Sequence, residues 1–324
     1  MPVSRIVAMS GVGAPEVLID SVLEVPEPGA GQVLLKVGAA GFNPIDTKIR
    51  AGIAPVVPLH GILGCDVCGV VVSVGEGVSG LAVGQRVFGF VGGVKGRWGA
   101  LSEFMLADAA LLAAAPVGLT DAECAVLPLV SVTASEALAR LAIESGSELL
   151  VLGASGAVGR MAVQMAVRSG IFVTGTAGTE QRCQEVESLG AHAVLHQDVD
   201  ALIAAGKMFP FVLDTFGGPS LAKALAAASA GGSVATINAR GVHDLGLAHA
   251  KALTLNAVFV MLPLLSGMGV KRHQAVTIEL ARQLELGSWQ PLPVEAVTAS
   301  AESVAAVHCR YEAGQLPHKV AFVW

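Results

Sequence analysis

Apolar residues in the first third of the chain come in short runs that are separated by turn residues. The runs at 3–9, 32–40, 67–75 and 85–91 each predict a β-strand. The run at 67–75, VCGVVVSVG, also has the β-branched enrichment of a buried strand. Short strands between frequent Pro and Gly positions are typical of a compact, barrel-like β-domain.

Near residue 115 the pattern changes, and helical and strand segments alternate from there on. Apolar spacing predicts helices at 121–143, 157–169, 180–188 and 270–286, and strands at 148–152, 171–174, 192–195, 210–214, 232–237 and 256–261. This alternation indicates an α/β fold with a doubly wound, mostly parallel sheet and right-handed crossovers. The tail at 318–324, HKVAFVW, predicts a strand that returns to the first domain.

Composition narrows the classes of function that remain. The chain has 324 residues, of which 53% are hydrophobic and 14% charged, as expected of a folded chain with one or two domains. A net charge of −6 without a basic tail disfavours nucleic-acid binding. Mean hydropathy is positive, but the best membrane candidate, 257–270, contains Pro263 and is too short to span a bilayer.

Cysteine usage and the N-terminal residues indicate in which cellular compartment the protein is expected. The five cysteines are odd in number and mostly far apart, which argues against a disulfide framework. The N-terminus has no apolar signal core followed by a cleavage site. We therefore expect a protein of the reducing cytoplasm.

A glycine-rich turn follows the predicted strand at 148–152. Gly153, Gly156 and Gly159 separate that strand from a helix, in the spacing GxxGxxG. A dinucleotide pyrophosphate needs such a turn, because side chains would block its approach to the backbone and the helix start binds anions. A tight turn without a ligand is the alternative reading of the same glycines.

The end of the next strand bears on the choice of cofactor. NAD-preferring sites usually place an acidic residue there for the ribose 2′-hydroxyl. Neither Gly175 nor Thr176 is acidic, and Thr176, Thr179 and Arg182 are candidates for holding a 2′-phosphate instead. Glu180 is the nearest acid and is expected on the following helix. The sequence thus favours NADPH over NADH.

Several motifs in the right order resemble those of a known superfamily. They are GFNPIDTKIRAG (41–52), LGCDVCGVVVSVGEGVSGLAVGQRVFGF (63–90), LPLVSVTASEAL (127–138), GASGAVG (153–159), FVTGTAGTE (172–180), LDTFGG (213–218) and HKVAFV (318–323). The chain resembles the medium-chain dehydrogenase/reductase superfamily, and within it the zinc-free, zeta-crystallin-like quinone oxidoreductases.

The resemblance implies a fold and an assembly. It implies a GroES-like β-barrel-type catalytic domain at 1–119 and 266–324, and a Rossmann NADP-binding domain at 120–265. It also implies a homodimer and a cleft between the domains where nicotinamide meets substrate. The cofactor contacts expected from it and from the glycine turn are Thr133, Ser155, Gly156, Ala157, Val158, Gly159, Phe216, Gly217, Asn238, Ala239, Arg240, His318 and Lys319.

The zinc branch of the superfamily uses a Cys, a His and a further Cys or Asp as ligands. In this chain Asn43 stands at the position like the first ligand and Cys65 at the position like the His, and no third ligand appears near 129–132. Tetrahedral zinc needs three or four converging ligands, so we expect no metal. Cys65 and Cys68 are then predicted to be small buried residues with a structural role.

Without a metal, quinones and α,β-unsaturated carbonyls are the better hydride acceptors, because the resulting anion is delocalised. Asn43 is the candidate donor to the substrate carbonyl, or else a helix cap before Pro44. Asp46 and Arg50 are the other candidate catalytic residues; because they lie four residues apart, an ion pair that supports the site is the favoured reading over catalysis. Tyr311 is the only tyrosine, so the loop after Asn43 has none to deliver a proton.

Three functions are therefore compatible with the sequence. The first is NADPH-dependent reduction of a quinone or an α,β-unsaturated carbonyl compound. The second is reduction of an enoyl thioester in a biosynthetic pathway, and the third is NADPH binding without catalysis. All three share the fold and the cofactor, and none involves nucleic acid or a membrane.

Overall fold

The chain forms two compact units, and the computed structural model describes residues 2–324. The first unit comprises the residues up to Leu129 together with Met261–Trp324, and the second is Val130–Val260. The first boundary thus lies later in the chain than the predicted 119/120, and the second lies earlier than 265/266.

Strands dominate the N-terminal part of the first unit. Its elements are β1 (Val3–Met9), β2 (Leu18–Glu24), β3 (Gln32–Gly41), α1 (Pro44–Arg50), β4 (Asp66–Val74), β5 (Arg86–Phe90), β6 (Phe104–Asp108), β7 (Leu112–Ala114) and α2 (Asp121–Ala125). Helix α3 (Pro128–Leu141) begins in this unit and continues into the second.

Helices and strands alternate through the second unit. They are β8 (Glu148–Leu152), α4 (Ala157–Arg168), β9 (Phe172–Ala177), α5 (Glu180–Glu187), β10 (His192–Leu195), α6 (Val199–Ala204), β11 (Phe209–Asp214), α7 (Ser220–Ala227), β12 (Ala228–Thr236), α8 (Gly246–Ala250) and β13 (Thr254–Ala257). The chain then returns to the first unit with α9 (Leu262–Ser266), α10 (Val270–Glu285), β14 (Val294–Thr298), α11 (Ala301–Glu312) and β15 (Lys319–Val323).

The second unit contains the predicted doubly wound sheet. Six parallel strands lie in the order β10-β9-β8-β11-β12-β13. The chain starts in the middle at β8, builds outwards to β10, and then crosses to β11 on the other side of β8. The carboxyl ends of β8 and β11 therefore flank the point where the strand order reverses, which is the usual ligand position in such sheets.

In the first unit, the C-terminal strand completes a sheet that begins near the N-terminus. The strands follow the order β14-β15-β3-β4-β5-β7, with β6 also paired to β3. Strand β15 is antiparallel to β3 with Ala321 opposite Gly41, and β4 is antiparallel to β3 with Asp66 opposite the same glycine. This register brings the ends of three strands together at the start of α1, and it confirms the expected return of the tail.

Two predicted elements differ in the structure. The helix expected over 121–143 is broken, since α2 ends at Ala125 and α3 begins at Pro128. Proline lacks the backbone N–H and disfavours helical geometry in the residue before it, so a continuous helix cannot cross this point. The strand expected at 256–261 is β13, which ends at Ala257.

Residues 121–141, which include α2 and α3, are long and apolar enough to cross a membrane by composition alone. In the structure 67% of this stretch is buried inside the protein. This degree of burial agrees with a helical segment of the protein core.

Candidate functional site

The glycine turn after β8 has the geometry that close backbone approach requires. Gly153 has a φ of +82°, which strongly favours glycine. A Cβ on Gly159 would lie 2.2 Å from the Gly153 carbonyl oxygen, so this glycine allows α4 to pack against the end of β8. Gly156 is exposed, and a Cβ there would meet nothing closer than 3.3 Å. Space beside Gly156 is thus open, whereas Gly159 is enclosed by protein.

The start of α4 is suited to an anion. Gly156 occupies the N-cap position, and no side chain caps the helix. Ala157 and Val158 are half-buried, as is Ser155 in the preceding turn. The first backbone N–H groups of a helix have no partner within it, and they carry the positive end of the dipole. These residues fit a diphosphate, which is the group that the sequence predicted here.

Thr176 does not have the role that the sequence predicted. Its side chain is buried at the end of β9, and its hydroxyl oxygen accepts a hydrogen bond from the Gly153 backbone N–H at 3.0 Å. The same oxygen lies 2.8 Å from Nδ1 of His196. The predicted role of Thr176 is therefore wrong, because its hydroxyl fixes the glycine turn and is not free to bind a phosphate.

His196 is a residue that the sequence prediction missed, although it follows strand β10 directly. It is half-buried, and its ring packs edge-on against Phe216 with the centroids 5.3 Å apart. Burial lowers the pKa of His196, and the positive charges of Lys223 and Arg182 lower it further. Of these two cations, Lys223 is paired with Asp200 at 3.0 Å.

The remaining residues predicted for the 2′-phosphate lie at the start of α5. Thr179 is the N-cap of this helix, and its hydroxyl accepts a hydrogen bond from the Arg182 backbone N–H. The Arg182 side chain is exposed. Glu180 is the first residue of α5, as predicted. Arg182 therefore remains a candidate for an anionic group, while Thr179 caps the helix.

A buried carboxylate organises the turn after β11. Asp214 is fully buried and accepts hydrogen bonds from the backbone N–H groups of Phe216 and Gly217 and from the Thr236 hydroxyl. Gly217 has a φ of +72°, and a Cβ there would lie 2.2 Å from the Asn238 carbonyl oxygen. The predicted residues Gly217 and Asn238 therefore meet at adjacent strand ends. Asp214, within the quoted LDTFGG motif, was not predicted as the residue that holds them.

The other predicted cofactor contacts occupy several environments. Thr133 is buried on α3, and Phe216 is 52% exposed beside the glycine turn. Ala239 and Arg240 are exposed after β12, and His318 is exposed just before β15. Their predicted contacts with a cofactor remain predictions.

A buried polar cluster lies where β3, β4 and β15 converge. Asn43 is the N-cap residue of α1 and is fully buried. Its amide nitrogen donates to Asp66 Oδ2 at 2.9 Å, and its amide oxygen accepts from Lys319 Nζ at 2.7 Å. Lys319 also donates to the Phe42 carbonyl. We call Asn43, Asp46, Asp66 and Lys319 the buried cluster.

These contacts decide between the two readings of Asn43. Its amide is engaged by Asp66 and Lys319 and is shielded from solvent, so in this structure it presents no donor to a substrate carbonyl. The cap position agrees with the alternative reading. Lys319, predicted as a cofactor contact, donates to the Phe42 carbonyl and to Asn43, and its contact with a cofactor stays a prediction.

Burial dominates the electrostatics of the buried cluster. It raises the pKa of Asp46 to about 6, although the Asn43 N–H and the Lys319 charge oppose the change. Burial also raises the pKa of Asp66 to about 7, although the charge of Lys319 lowers it. Burial lowers the pKa of Lys319, while Asp66 and Asp46 act in the opposite direction. The cluster therefore takes up protons at higher pH than isolated carboxyl groups do.

The predicted ion pair between Asp46 and Arg50 is wrong. The Asp46 carboxylate accepts from the Asn43 backbone N–H at 2.9 Å, across the first turn of α1. Arg50 is buried and pairs with Glu312 of α11. The two side chains are separated because Asp46 turns back to cap the helix while Arg50 reaches towards the C-terminal segment.

The donors around Cys65 do not form a zinc-ligand set. Cys65 is fully buried, and its sulfur lies 4.0 Å from Asp46 Oδ1. Burial, then Asp46 and Asp66, raises the pKa of this thiol. Within residues 2–324, no group of three or more His, Cys, Asp and Glu side chains is arranged to hold a metal ion. The cation beside these carboxylates is the ammonium of Lys319.

Both halves of the chain match known protein families. Residues 29–117 match the family described as alcohol dehydrogenase GroES-like domain, and residues 157–263 match the family described as zinc-binding dehydrogenase. The human quinone oxidoreductase is 31% identical over 314 residues, which cover 93% of each chain. The chain belongs to the medium-chain dehydrogenase/reductase superfamily. Members of this superfamily are oxidoreductases with an NAD(P)-binding fold. This chain is therefore an oxidoreductase with the same fold.

Two further relatives match over shorter stretches. The tomato (Solanum lycopersicum) 2-methylene-furan-3-one reductase is 36% identical over 69% of this chain and 60% of its own length. An Arabidopsis thaliana chloroplastic NADPH-dependent alkenal/one oxidoreductase is 37% identical over 64% of this chain and 56% of its own. The chain thus spans little more than half the length of these two relatives.

Among solved structures, an alcohol dehydrogenase superfamily protein from Novosphingobium aromaticivorans superposes with a TM-score of 0.91. It is 34% identical, and the match covers 99% of each chain. This similarity confirms the predicted α/β fold with a GroES-like unit and a Rossmann unit, as well as the predicted family.

Proposed function

We propose that this protein is an NADPH-dependent reductase of quinones or α,β-unsaturated carbonyl compounds, working without catalytic zinc. The observation that carries the proposal is the buried cluster. A lysine ammonium and an asparagine amide occupy the region where the zinc branch of the superfamily places its first ligands. A divalent cation there would be repelled by Lys319 and would find Cys65 as its one soft ligand.

A reaction without a Lewis acid, as proposed, favours particular substrates. A simple ketone or aldehyde would develop localised charge on its oxygen, which needs strong stabilisation. In a quinone or an enone, hydride addition gives an anion that is already delocalised. The names of the human, tomato and Arabidopsis relatives support these acceptor classes.

NADPH supplies the hydride when it is bound. The N–H groups at the start of α4 would hold its diphosphate, and Gly156 leaves the backbone open to that group. The exposed guanidinium group of Arg182 favours a phosphate on the ribose over a bare hydroxyl. The Arabidopsis relative is named as NADPH-dependent, which supports the same choice. Arg182 is our principal candidate for the phosphate contact.

The buried cluster contributes by fixing backbone rather than by touching substrate. Asn43 is held from both sides, and Asp46 fixes the first turn of α1. The Asp66 carboxylate accepts from the Leu129 backbone N–H at 3.0 Å, which also fixes the start of α3. We also infer a cytoplasmic location and a homodimer, with no nucleic acid or membrane as partner.

A panel assay of NADPH oxidation tests this function. The panel contains a benzoquinone, an aliphatic enone, an enoyl thioester and a saturated aldehyde, each measured before and after exhaustive chelation. We expect turnover with the quinone or the enone, little with the aldehyde, and no loss after chelation. NADPH binding without turnover of any acceptor, a preference for the thioester, or zinc-dependent restoration of activity would each contradict the proposal.

A further inference from the structure

Two cysteines outside the buried cluster are in contact with each other. Cys68 lies on β4 and Cys124 on α2, and both side chains are fully buried. Their sulfurs lie beside the same Arg86–Asp121 pair and interact with each other electrostatically. They come from chain segments more than fifty residues apart, so the fold, and not local sequence, pairs them.

A charged pair covers the two thiols. Arg86 Nε lies 2.6 Å from Asp121 Oδ1, and these side chains are 30% and 36% exposed. Arg86 Nη2 lies 3.6 Å from the sulfur of Cys124, and the sulfur of Cys68 lies 3.4 Å from Asp121 Oδ1. Each cysteine therefore faces a different charge, with the cation beside Cys124 and the carboxylate beside Cys68.

This asymmetry gives the two sulfurs different chemistry. The interaction with Cys68 lowers the pKa of Cys124, and Arg86 lowers it further against the effect of burial. The same interaction and burial raise the pKa of Cys68. Cys65 and Cys183 also have raised pKa values. A thiolate, not a thiol, is the nucleophile, so Cys124 is the more reactive member of the pair.

We propose that Cys68 and Cys124 form a peroxide-responsive dithiol, which hydrogen peroxide converts into a reversible disulfide between β4 and α2. The Cys124 thiolate attacks one peroxide oxygen, an S–O bond forms, the O–O bond breaks, and the departing hydroxide is protonated to water. The Cys68 sulfur, after losing its proton, then attacks the Cys124 sulfenic acid, and the S–O bond breaks to release a second water. The dithiol loses two electrons and two protons, and the peroxide is reduced to water.

The exposed edge of the charged pair limits which oxidants enter. A molecule the size of hydrogen peroxide can pass a partly exposed arginine, whereas bulky reagents cannot reach two sulfurs with no exposed surface. Disulfides in a reducing compartment are usually transient and redox-sensing, which agrees with a pair that is reduced in this structure.

The expected disulfide would act on the start of α3. Strand β4 carries both Asp66 and Cys68, and α2 leads directly to Leu129, whose N–H donates to Asp66. A disulfide needs a shorter sulfur–sulfur distance than a non-bonded contact does, so closing it draws α2 towards β4. The oxidised state would therefore shift the segment that joins α2 to α3.

Intact-mass and peptide-map measurements on the full chain test the proposal. The protein is treated with hydrogen peroxide, its remaining thiols are blocked, and it is digested without reductant. We expect a mass decrease equal to two hydrogen atoms, a peptide pair joined through Cys68 and Cys124, and full reversal by dithiothreitol. The readout is mass and not turnover, so its result is independent of the proposed function.

Matched variants separate this pair from the other cysteines. Cys309 is the exposed cysteine, so all proteins carry Cys309→Ser to prevent coupling between molecules. In that background Cys124→Ser should abolish the mass decrease, and Cys183→Ser should leave it unchanged. Arg86→Gln should slow formation about tenfold by removing the cation beside Cys124.

Three results would overturn the proposal. The first is a Cys68–Cys124 pair that stays reduced at peroxide concentrations that oxidise the exposed Cys309 of the unsubstituted chain, which is measured separately. The second is a Cys124 that gains oxygen atoms while Cys68 remains a free thiol. The third is the same mass decrease in Cys124→Ser. If that variant fails to fold, the peptide map of the parent chain decides alone.

Discussion

The ammonium of Lys319 lies 2.7 Å from the amide oxygen of Asn43, although the two residues are separated by almost the whole chain. Strand β15 brings the lysine to this position by pairing with β3. On the other side of Asn43, Asp66 accepts from the amide nitrogen. A neutral amide thus bridges a half-buried cation and a buried carboxylate, so each of the three groups depends on the other two.

Replacing Lys319 by methionine should destabilise the protein strongly. The substitution leaves Asp46 and Asp66 buried without their counter-ion, and losing one partner of a buried charge pair typically costs about 3 kcal/mol. Urea unfolding at pH 8 measures the change. The matched control is Lys36→Met on the exposed side of β3, which should change the free energy of unfolding by less than about 0.5 kcal/mol. Equal effects of both substitutions would contradict the role of Lys319.

Stability should depend on pH through the buried carboxyl groups. Asp46 and Asp66 have folded-state pKa values of about 6 and about 7, above the ordinary value near 3.8. The folded protein therefore binds more protons than the unfolded chain between about pH 4 and pH 7, and their contribution to stability falls as the pH rises through this window. Cys65 and Lys319 are the other titratable groups of this region.

The variant Asp66→Asn tests this pH dependence. It keeps the shape of the side chain but does not ionise, so the decrease in unfolding free energy from pH 5 to pH 8 should be smaller than in the parent. Exposed Asp20, changed to Asn, is the control and should leave the slope as it is. A parent protein that gains stability over this interval, with Asp66→Asn following the same curve, would refute the raised pKa.

Cofactor preference should depend on Arg182. Removing a charged partner of a phosphate costs about 1.5–3 kcal/mol, so Arg182→Ala should weaken NADPH binding about tenfold or more and leave NADH nearly unchanged. Dissociation constants for both nucleotides, from fluorescence titration, measure this. Arg168→Ala, at the exposed end of α4, is the control. A similar loss for NADPH and NADH would remove Arg182 from the phosphate site.

Two glycines of the cofactor turn should respond differently to alanine. Gly159→Ala places a Cβ against the Gly153 carbonyl, and overpacking of this kind costs about 1–3 kcal/mol. Gly156→Ala brings a Cβ to 3.3 Å from the same carbonyl oxygen, which a small shift relieves, so its stability should fall less than that of Gly159→Ala. Its methyl group, however, stands where a diphosphate approaches. Thermal unfolding and nucleotide titration of both variants distinguish the effects. A Gly156→Ala protein with unaltered nucleotide affinity would contradict the predicted position of the diphosphate.

The strand and helix pattern of the second unit could be read from the sequence because each element follows a simple period. Strands β8 and β10 have the predicted bounds, and Glu180 begins α5 as expected. Weakly patterned elements were missed. Strand β2 has mostly exposed residues, so its hydrophobic period is faint, and β14 is similar.

The site was harder to predict because its contacts join distant parts of the chain. The glycine turn is local, and its residues were identified from their spacing. The partners of Asn43 come from β4 and β15, and those of Thr176 come from the β8 turn and from His196. The sequence predicted that Arg50 pairs with Asp46, the nearest acid along the helix. In the structure Arg50 pairs with Glu312, which is distant in the chain. Local spacing cannot reveal such pairings.

The position of β15 after the Rossmann unit in chain order has a consequence for protein synthesis. The ribosome completes the whole Rossmann unit before it makes the strand that closes the GroES-like sheet. Until residue 323 leaves the exit tunnel, β3 keeps an open edge, and the carboxyl groups of Asp46 and Asp66 have no lysine to balance them. The GroES-like unit thus matures after the Rossmann unit, at the moment when β15 pairs with β3.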